Sequence, residues 1–336
     1  MQYRKLGSSD LNVSVIGLGT NNFGNPDRAD APRRFGISDR AESAAVLNKC
    51  LDVGINFIDT ADIYGDGRSE VHIGEAIKTR RKEAILATKV NIAELNGESI
   101  RDRINRKIDE SLAALQTDYV DLYQFHFPSN DVPQEEILGP MNDLVTAGKV
   151  RYIGECNYAG WRHAQADAVS ENSGWARMVS SQNYYNVFRR QVELELLPFC
   201  TAQNVGFLPY FPLAGGWLTG KYKPTDVPST DSRRMVTQLQ GDAAARVTLN
   251  KLDAYAAERG HTILELAFSW LLAHPAVSSV IAGAMTPEQV EANSKAGDWT
   301  MTDDERDEID AIVAWDGTSE EIEGYGPGSS PAVRRR

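Results

Sequence analysis

Asp59, Tyr64, Lys89 and His126 are the side chains of this sequence that, gathered in one place, could hand a proton to a carbonyl oxygen. Asp59 stands where a short apolar run, Ile55–Ile58, stops, and Tyr64 follows five residues later. Lys89 ends the segment Ala-Ile-Leu-Ala-Thr-Lys, and His126 follows the run Val120–Phe125. A lysine at the end of a buried strand is costly unless paired, and Asp59 is its natural partner. An ammonium held beside a tyrosine hydroxyl favours the phenolate and lowers its pKa. A histidine nearby can position a substrate oxygen or relay its proton. Tyr64 would then be a tuned general acid, which carbonyl reduction requires. Singly, each residue has a plainer reading: Asp59 a helix cap, Tyr64 a surface aromatic, Lys89 a solvated strand edge, His126 a structural residue. The chemistry follows only if one face of the fold collects all four.

The elements that would do so alternate. Residues 1–13 read as a hairpin turning at Gly7–Asp10, and Val13–Gly19 as a short strand ending in glycine. Residues 25–40, rich in Pro, Asp and Arg, read as a loop. Ser43 is placed as the cap of a helix running to Val53, with Gly54 as its stop. Strand 55–59 then precedes helix 69–78, strand 84–88 precedes helix 99–115, and strand 120–125 precedes helix 135–147. Strand 150–155 precedes helix 160–170, and strand 178–181 precedes helix 191–203. The clearest period lies in 99–115, where Ile100, Ile104, Ile108 and Leu112 recur every four residues. Strand 205–209 opens a Gly/Pro-rich loop, followed by helices 242–259 and 262–273, strand 277–281, helix 287–295 and a last helix 302–313. Eight strand–helix units in about 280 residues fit one closed (β/α)8 TIM barrel with an N-terminal hairpin and extra C-terminal helices. Residues 1–315 are expected to form that one domain. Residues 316–336, with no apolar period, are expected to be an extended or partly disordered tail.

Composition removes several function classes. A net charge of −12 argues against a nucleic-acid partner, which needs a basic footprint. Three widely spaced cysteines suit neither a disulfide framework nor a CxxC metal site, and the five histidines form no ligand pair, so no metal is expected. Neither a signal-peptide pattern nor a membrane-length apolar run is seen. A cytoplasmic protein, monomeric or homo-oligomeric, is therefore expected. Gly17–Asn22 resembles a dinucleotide fingerprint but has Asn22 for the third glycine and no helix after it. Gly215–Tyr222 is close to a P-loop, but Tyr222 stands where a hydroxyl should meet Mg²⁺ and no helix follows. No GxSxG elbow occurs.

Barrels of this kind build their sites at the C-terminal strand ends. In order, this sequence places there Gly19-Thr20-Asn21, Asp59 with Tyr64 beyond it, Lys89, His126, Cys156-Asn157, Gln182, Tyr210-Phe211 and Gly283. Lys89 and His126 thus arrive at strand ends neighbouring that of Asp59. Phe23, Phe127, Trp161 and Trp217 are candidates, with Tyr64, for a pocket lining.

The segments Gly17–Thr20, Asn56–Gly65, Ala87–Lys89, Asp121–His126, Gly148–Gly154, Gln182–Asn186 and Phe211–Tyr222 resemble the aldo-keto reductases, in order and over roughly residues 1–315. The Leu-Thr-Gly-Lys-Tyr loop is most similar to the bacterial and potassium-channel-beta-subunit-like branch. The resemblance implies hydride transfer between a nicotinamide cofactor and an aldehyde or ketone, or the corresponding alcohol. It implies Tyr64 as proton donor, Lys89 and Asp59 as its tuning pair, and His126 as the residue orienting the carbonyl. It implies cofactor contacts from Gly19, Thr20, Asn21 and Asp59, and from Cys156, Asn157 and Gln182 around the nicotinamide carboxamide. Tyr210 would stack on the nicotinamide ring. Phe211, Pro212, Leu213, Ala214, Gly215 and Lys221 would cover the pyrophosphate. Gly283, Met285, Gln289 and Asn293 would hold the adenosine end, where a helix N-terminus also attracts phosphate, and Arg233 or Arg234, in the loop after the seventh barrel strand, could supply positive charge there. The pattern departs at Cys156, where serine is usual, at Phe211, where serine or asparagine is, and at Met285, where a small polar residue is. NADP(H) is the expected cofactor, with NAD(H) left open. Two alternatives stand beside this: a cofactor-binding regulatory module with little turnover, against which His126 weighs, and a lyase or isomerase on the same barrel.

Overall fold

The alternation of buried strands with amphipathic helices closes into a ring of eight parallel strands. The computed structural model describes residues 1–24, 39–92, 95, 97–222 and 242–315. An antiparallel hairpin, β1 (Tyr3–Lys5) and β2 (Asn12–Ser14), comes first. The barrel strands are β3 (Ile16–Gly19), β4 (Phe57–Asp59), β5 (Ile85–Val90), β6 (Val120–Phe125), β7 (Val150–Cys156), β8 (Met178–Tyr184), β9 (Gly206–Tyr210) and β10 (Val280–Gly283). They run in chain order around the barrel, and β10 closes on β3 with Val280 opposite Ile16. The helices among the described residues are α1 (Arg40–Asp52), α2 (Arg68–Ile77), α3 (Ile100–Leu115), α4 (Gln134–Thr146), α5 (Gly160–Ser173), α6 (Leu196–Gln203), α7 (Ala243–Glu258), α8 (Ile263–Leu272), α9 (Pro287–Ala296) and α10 (Asp303–Val313).

The hairpin explains which mouth of the barrel is open. Leu6, Leu11 and Val13 pack into an apolar layer with Phe57, Ala87, Leu122, Val179, Leu208 and Ile281, side chains of six different barrel strands. Gly7 makes this possible: its φ is 53°, and a Cβ there would sit 2.4 Å from the Val179 carbonyl oxygen. With the N-terminal mouth plugged, the strand C-termini are left for a site. Strand alternation then sets what faces inward one layer higher. Two residues beyond Phe57 comes Asp59, two beyond Ala87 comes Lys89, and two beyond Leu122 comes Gln124.

Several boundaries differ from the sequence reading for local reasons. Helix α1 begins earlier than Ser43, because Asp39 caps it in a reciprocal box with Glu42. Ser43 is buried, and its hydroxyl meets His72 Nδ1 at 3.0 Å. The expected helix 191–203 is broken into a 3₁₀ turn at Gln191–Glu193 and then α6. Strand β10 starts at Val280 rather than 277. Val277 makes an isolated bridge to Phe207, and Ser278 donates to the Lys5 carbonyl at 2.9 Å, so this stretch docks on the hairpin first. Ser99 caps α3, and Ile100, Ile104 and Ile108 are buried as the four-residue period predicts. Apart from residues 39 and 40, the expected loop 25–40 lies outside the described residues, as does the tail 316–336.

Candidate active site

Lys89 is 0% exposed, and its ammonium donates to Asp59 Oδ2 at 2.7 Å and to the Thr60 carbonyl at 2.8 Å. The same nitrogen lies 5.1 Å from the centre of the Tyr64 ring. Tyr64 in turn meets His126 edge-on, ring centres 5.6 Å apart, and His126 stacks on Phe127 at 4.5 Å. Asp59, Tyr64, Lys89 and His126 therefore share one cluster at the open mouth. Asp59 does not cap α2: the capping position is Gly67, which offers no side chain.

The loop carrying Tyr64 is tied down from several sides. Ser69 at the start of α2 meets the Thr60 hydroxyl at 3.0 Å and donates to Thr20 Oγ1 at 2.9 Å. The Thr20 hydroxyl donates to the Asp59 carbonyl at 3.0 Å, so it braces β3 against β4. Gly65 has a φ of 57°, and a Cβ there would meet the Phe23 carbonyl at 2.7 Å. Arg68 Nε donates to the Gly24 carbonyl at 2.6 Å.

Electrostatics correct one expectation. Burial pushes the Tyr64 phenol up to about 12, and the Lys89 ammonium recovers only part of that rise. The lysine does pull in the expected direction, but desolvation outweighs it. For Lys89 itself burial favours the neutral amine, yet the Asp59 carboxylate, helped by Tyr64 and Cys156, holds the ammonium above its ordinary value. Burial, and then the Lys89 charge, lower His126 well below the ordinary imidazole range, so the ring is neutral near pH 7.

The residues expected to hold a dinucleotide fall into three groups. In the first, Asn157 bridges two strand ends: its amide donates to the His126 carbonyl at 2.9 Å and accepts the Tyr210 hydroxyl at 2.8 Å. Tyr210 stacks on Tyr184 at 5.7 Å. Gln182 donates to Asp59 Oδ1 at 2.9 Å, and the buried Cys156 thiol donates to Gln182 Oε1 at 3.6 Å. Gln182 is thus engaged with the Asp59–Lys89 pair as well as lying beside Asn157.

The second group is the loop after β9. Phe211, Ala214, Gly215 and Gly216 have φ of 52°, 47°, 71° and 112°. This backbone makes a tight turn in which the Ala214 and Gly216 N–H groups donate to the Phe211 and Leu213 carbonyls at 3.1 and 2.8 Å. Lys221 lies over it, its Nζ 3.8 Å from where a Gly216 Cβ would be. Pro212 and Leu213 belong to the same turn.

The third group gathers at the N-terminus of α9. Gln289 Oε1 accepts the Met285 N–H at 2.8 Å, and Asn293 donates to the Gly283 carbonyl at 3.5 Å. Gly283 faces Gly19 across the barrel seam, so a Cβ there would lie 3.8 Å from the Gly19 carbonyl. Asn21 adjoins this seam in sequence. Arg233 lies outside the described residues. A cradle of left-handed backbone with an ammonium above it, leading to a tyrosine–lysine pair, fits a dinucleotide that carries a pyrophosphate and a redox ring. Among the described residues no group of three or more His, Cys, Asp or Glu could hold a metal ion, and no helix is long and apolar enough to cross a membrane.

Some participants were missed in the sequence. Gln124 Nε2 approaches Asp59 Oδ1 at 3.4 Å. Its signal was available, since it lies two residues before His126 on a strand with period two. Asn22, dismissed as a failed third glycine, is buried, and donates to the Ala284 carbonyl at 2.9 Å. Of the proposed pocket aromatics, Phe23 and Trp217 are wholly buried core residues and Trp161 is exposed.

Comparison with known proteins agrees with this geometry. The profile of the aldo/keto reductase family matches residues 15–314. The chain is 33% identical to aldo-keto reductase YhdN of Bacillus subtilis (strain 168) over 93% of its own length and 94% of the relative's. It is 33% identical to a probable voltage-gated potassium channel subunit beta of Arabidopsis thaliana, covering 89% and 92%. It is 27% identical to versiconal hemiacetal acetate reductase of Aspergillus parasiticus, covering 87% and 91%. With an eight-stranded parallel barrel, a buried lysine–aspartate pair under a tyrosine, and a family match over nearly its whole length, this chain belongs to the aldo/keto reductase family of oxidoreductases.

Proposed function

We propose that this protein is an NADP(H)-dependent reductase of aldehydes or ketones, with Tyr64 as general acid. One observation carries the reading: a fully buried ammonium, Lys89, 2.7 Å from Asp59 and 5.1 Å from the ring of a half-buried tyrosine. When bound, the dinucleotide supplies the hydride for the carbonyl carbon. Asn157, Gln182 and Tyr210 would hold its nicotinamide end, residues 211–215 with Lys221 its pyrophosphate, and residues 283–293 its adenosine end. Tyr64 donates its phenolic proton to the carbonyl oxygen as charge develops there. Lys89 stabilises the phenolate left behind, and Asp59 keeps Lys89 charged. The neutral His126 imidazole, fixed by its stack on Phe127, directs the carbonyl oxygen toward Tyr64. The reductase names of two relatives support this direction. The channel-subunit names of the plant relatives favour a regulatory, cofactor-sensing role, but a complete Asp59, Tyr64, Lys89 and His126 set favours turnover.

The test is Tyr64→Phe, with NADPH and NADH titrated by fluorescence and turnover followed at the nicotinamide band over a panel of aldehydes and ketones. Reduction should be lost while dinucleotide affinity stays close to wild type. Unchanged turnover in the variant would overturn the assignment.

A further inference from the structure

Glu155 lies in β7 immediately before Cys156, on the opposite face of the strand, and its side chain is 0% exposed. Both carboxylate oxygens are occupied. Oε2 accepts the Tyr158 backbone N–H at 3.1 Å. Oε1 lies 3.0 Å from Nδ1 of His163 on α5, a side chain that is also 0% exposed. The far nitrogen of His163 is 3.9 Å from Asp167 Oδ1, and Asp167 is itself paired with Arg177 at 2.6 Å. The row of ionisable groups thus runs from the barrel wall outward to Arg177, half of which is exposed. Burying such a row is a poor way to gain stability, because an apolar side chain of similar volume usually does as well or better.

What Glu155 holds is a turn. Its bond to Tyr158 spans Cys156 and Asn157, and Asn157 has a φ of 65°, a left-handed conformation uncommon for residues with a side chain but one that asparagine adopts more readily than most. In that conformation the Asn157 N–H donates to the Gln182 carbonyl at 3.0 Å. Its amide then reaches between the His126 carbonyl and the Tyr210 hydroxyl. Three groups of the candidate site are therefore referenced to one residue, and Glu155 is the side chain that closes its turn.

We propose that Glu155, seated by His163, is a positioning residue for the reaction: it locks the turn that presents Asn157 and so sets how tightly the nicotinamide end of the cofactor is held. This rests on the reading above, since a dinucleotide is what Asn157 is positioned for. The test compares full-length wild type, E155A and E155Q by NADPH and NADH fluorescence titration, thermal melting, and turnover at saturating cofactor. E155A should raise the NADPH Kd about tenfold, with a smaller loss in kcat, because misplacing a positioning group weakens what it orients. E155Q retains an oxygen for the Tyr158 N–H and should stay within about threefold of wild type. A brace between α5 and β7 alone would lower Tm and leave Kd where it was, and that result overturns the proposal. So does E155Q binding as weakly as E155A. Should E155A fail to fold, H163Q, which unseats the other carboxylate oxygen, carries the same expected rise in Kd, and an unchanged Kd there overturns the proposal. A wild type that binds neither dinucleotide overturns the functional reading and this inference together. A wild type that binds normally beside an unaffected E155A overturns this inference alone.

Discussion

Replacing Lys89 with methionine should separate what the Lys89–Asp59 pair does for stability from what it does for chemistry. The pair is fully enclosed, at 2.7 Å, and the ammonium also satisfies the Thr60 carbonyl. Removing it leaves Asp59 facing only amide donors, Gln182 at 2.9 Å and Gln124 at 3.4 Å. Breaking a buried pair from one side typically costs about 3–5 kcal/mol, because a charge remains in low dielectric. The Gln182 bond keeps the expected cost toward the lower figure. In a domain of this size that is a fall in Tm of about 4–5 °C. Lys89→Met should also lower kcat by about 10²–10³-fold, since the Tyr64 phenol, already raised by burial, loses the one cation that pulls it down. The double variant Asp59→Asn with Lys89→Met removes the stranded carboxylate. It should recover most of the lost Tm and none of the lost turnover. Thermal melts and single-turnover reduction at saturating cofactor read the two effects on the same samples. If Lys89→Met turned over within about tenfold of wild type, the role given to the ammonium would be wrong. If the double variant melted no higher than the single one, the argument from a stranded charge would fail.

Two further outcomes follow from the same electrostatics. Burial raises the Glu70 carboxyl from 4.5 to about 7, against a hydrogen bond from Thr88 at 2.6 Å, with Asp62 adding to the rise and Lys107 opposing it. Folded protein therefore binds this proton more tightly than unfolded chain, so the stabilisation is full below the unfolded value of 4.5 and is lost as pH rises through about 7. The full span is about 3 kcal/mol. Glu70→Gln keeps an acceptor for Thr88 and should be more stable than wild type at alkaline pH by about 1–3 kcal/mol, with little difference in mild acid. Urea melts at the two pH values check this, and parallel pH dependences for both proteins would count against it. For His126, lowered by burial and by Lys89, kcat/KM for reduction should show no imidazole limb between about pH 5.5 and 8. His126→Phe should lower kcat/KM by about 10²-fold. A titration limb near the ordinary histidine value would show that the ring is charged in the working enzyme.

The sequence made the barrel and its four central residues legible because both rest on period. Strands that end in Asp59, Lys89 and His126 can be counted along the chain, and parallel topology puts their ends at one mouth. The sign of the Tyr64 shift was not legible. It depends on how much of the ring is enclosed against how close the ammonium comes, and both are tertiary quantities. Helix boundaries failed where a local competitor won, as when Asp39 rather than Ser43 capped α1.

The residues missed altogether share a different cause. Gln124 and Glu155 lie on strands whose inward positions were read for chemistry, but only at the last residue of each strand. Gln124 is one layer below that end, and Glu155 points to the other face. Yet both have a hydrogen-bonding partner in the cluster or in its supporting turn. Strand ends in this barrel are braced in two ways: from a neighbouring strand, as Gln124 meets Asp59, and from the strand's other face, as Glu155 meets the turn after β7. Asp59 is braced from β6 by Gln124, Lys89 from β4 by Asp59, and the turn carrying Asn157 from behind by Glu155 through the Tyr158 N–H. An acid–base constellation on parallel strands is therefore best sought in both alternation phases of the last three residues of each strand. A polar residue fully buried in either phase is a candidate for control of the terminal one.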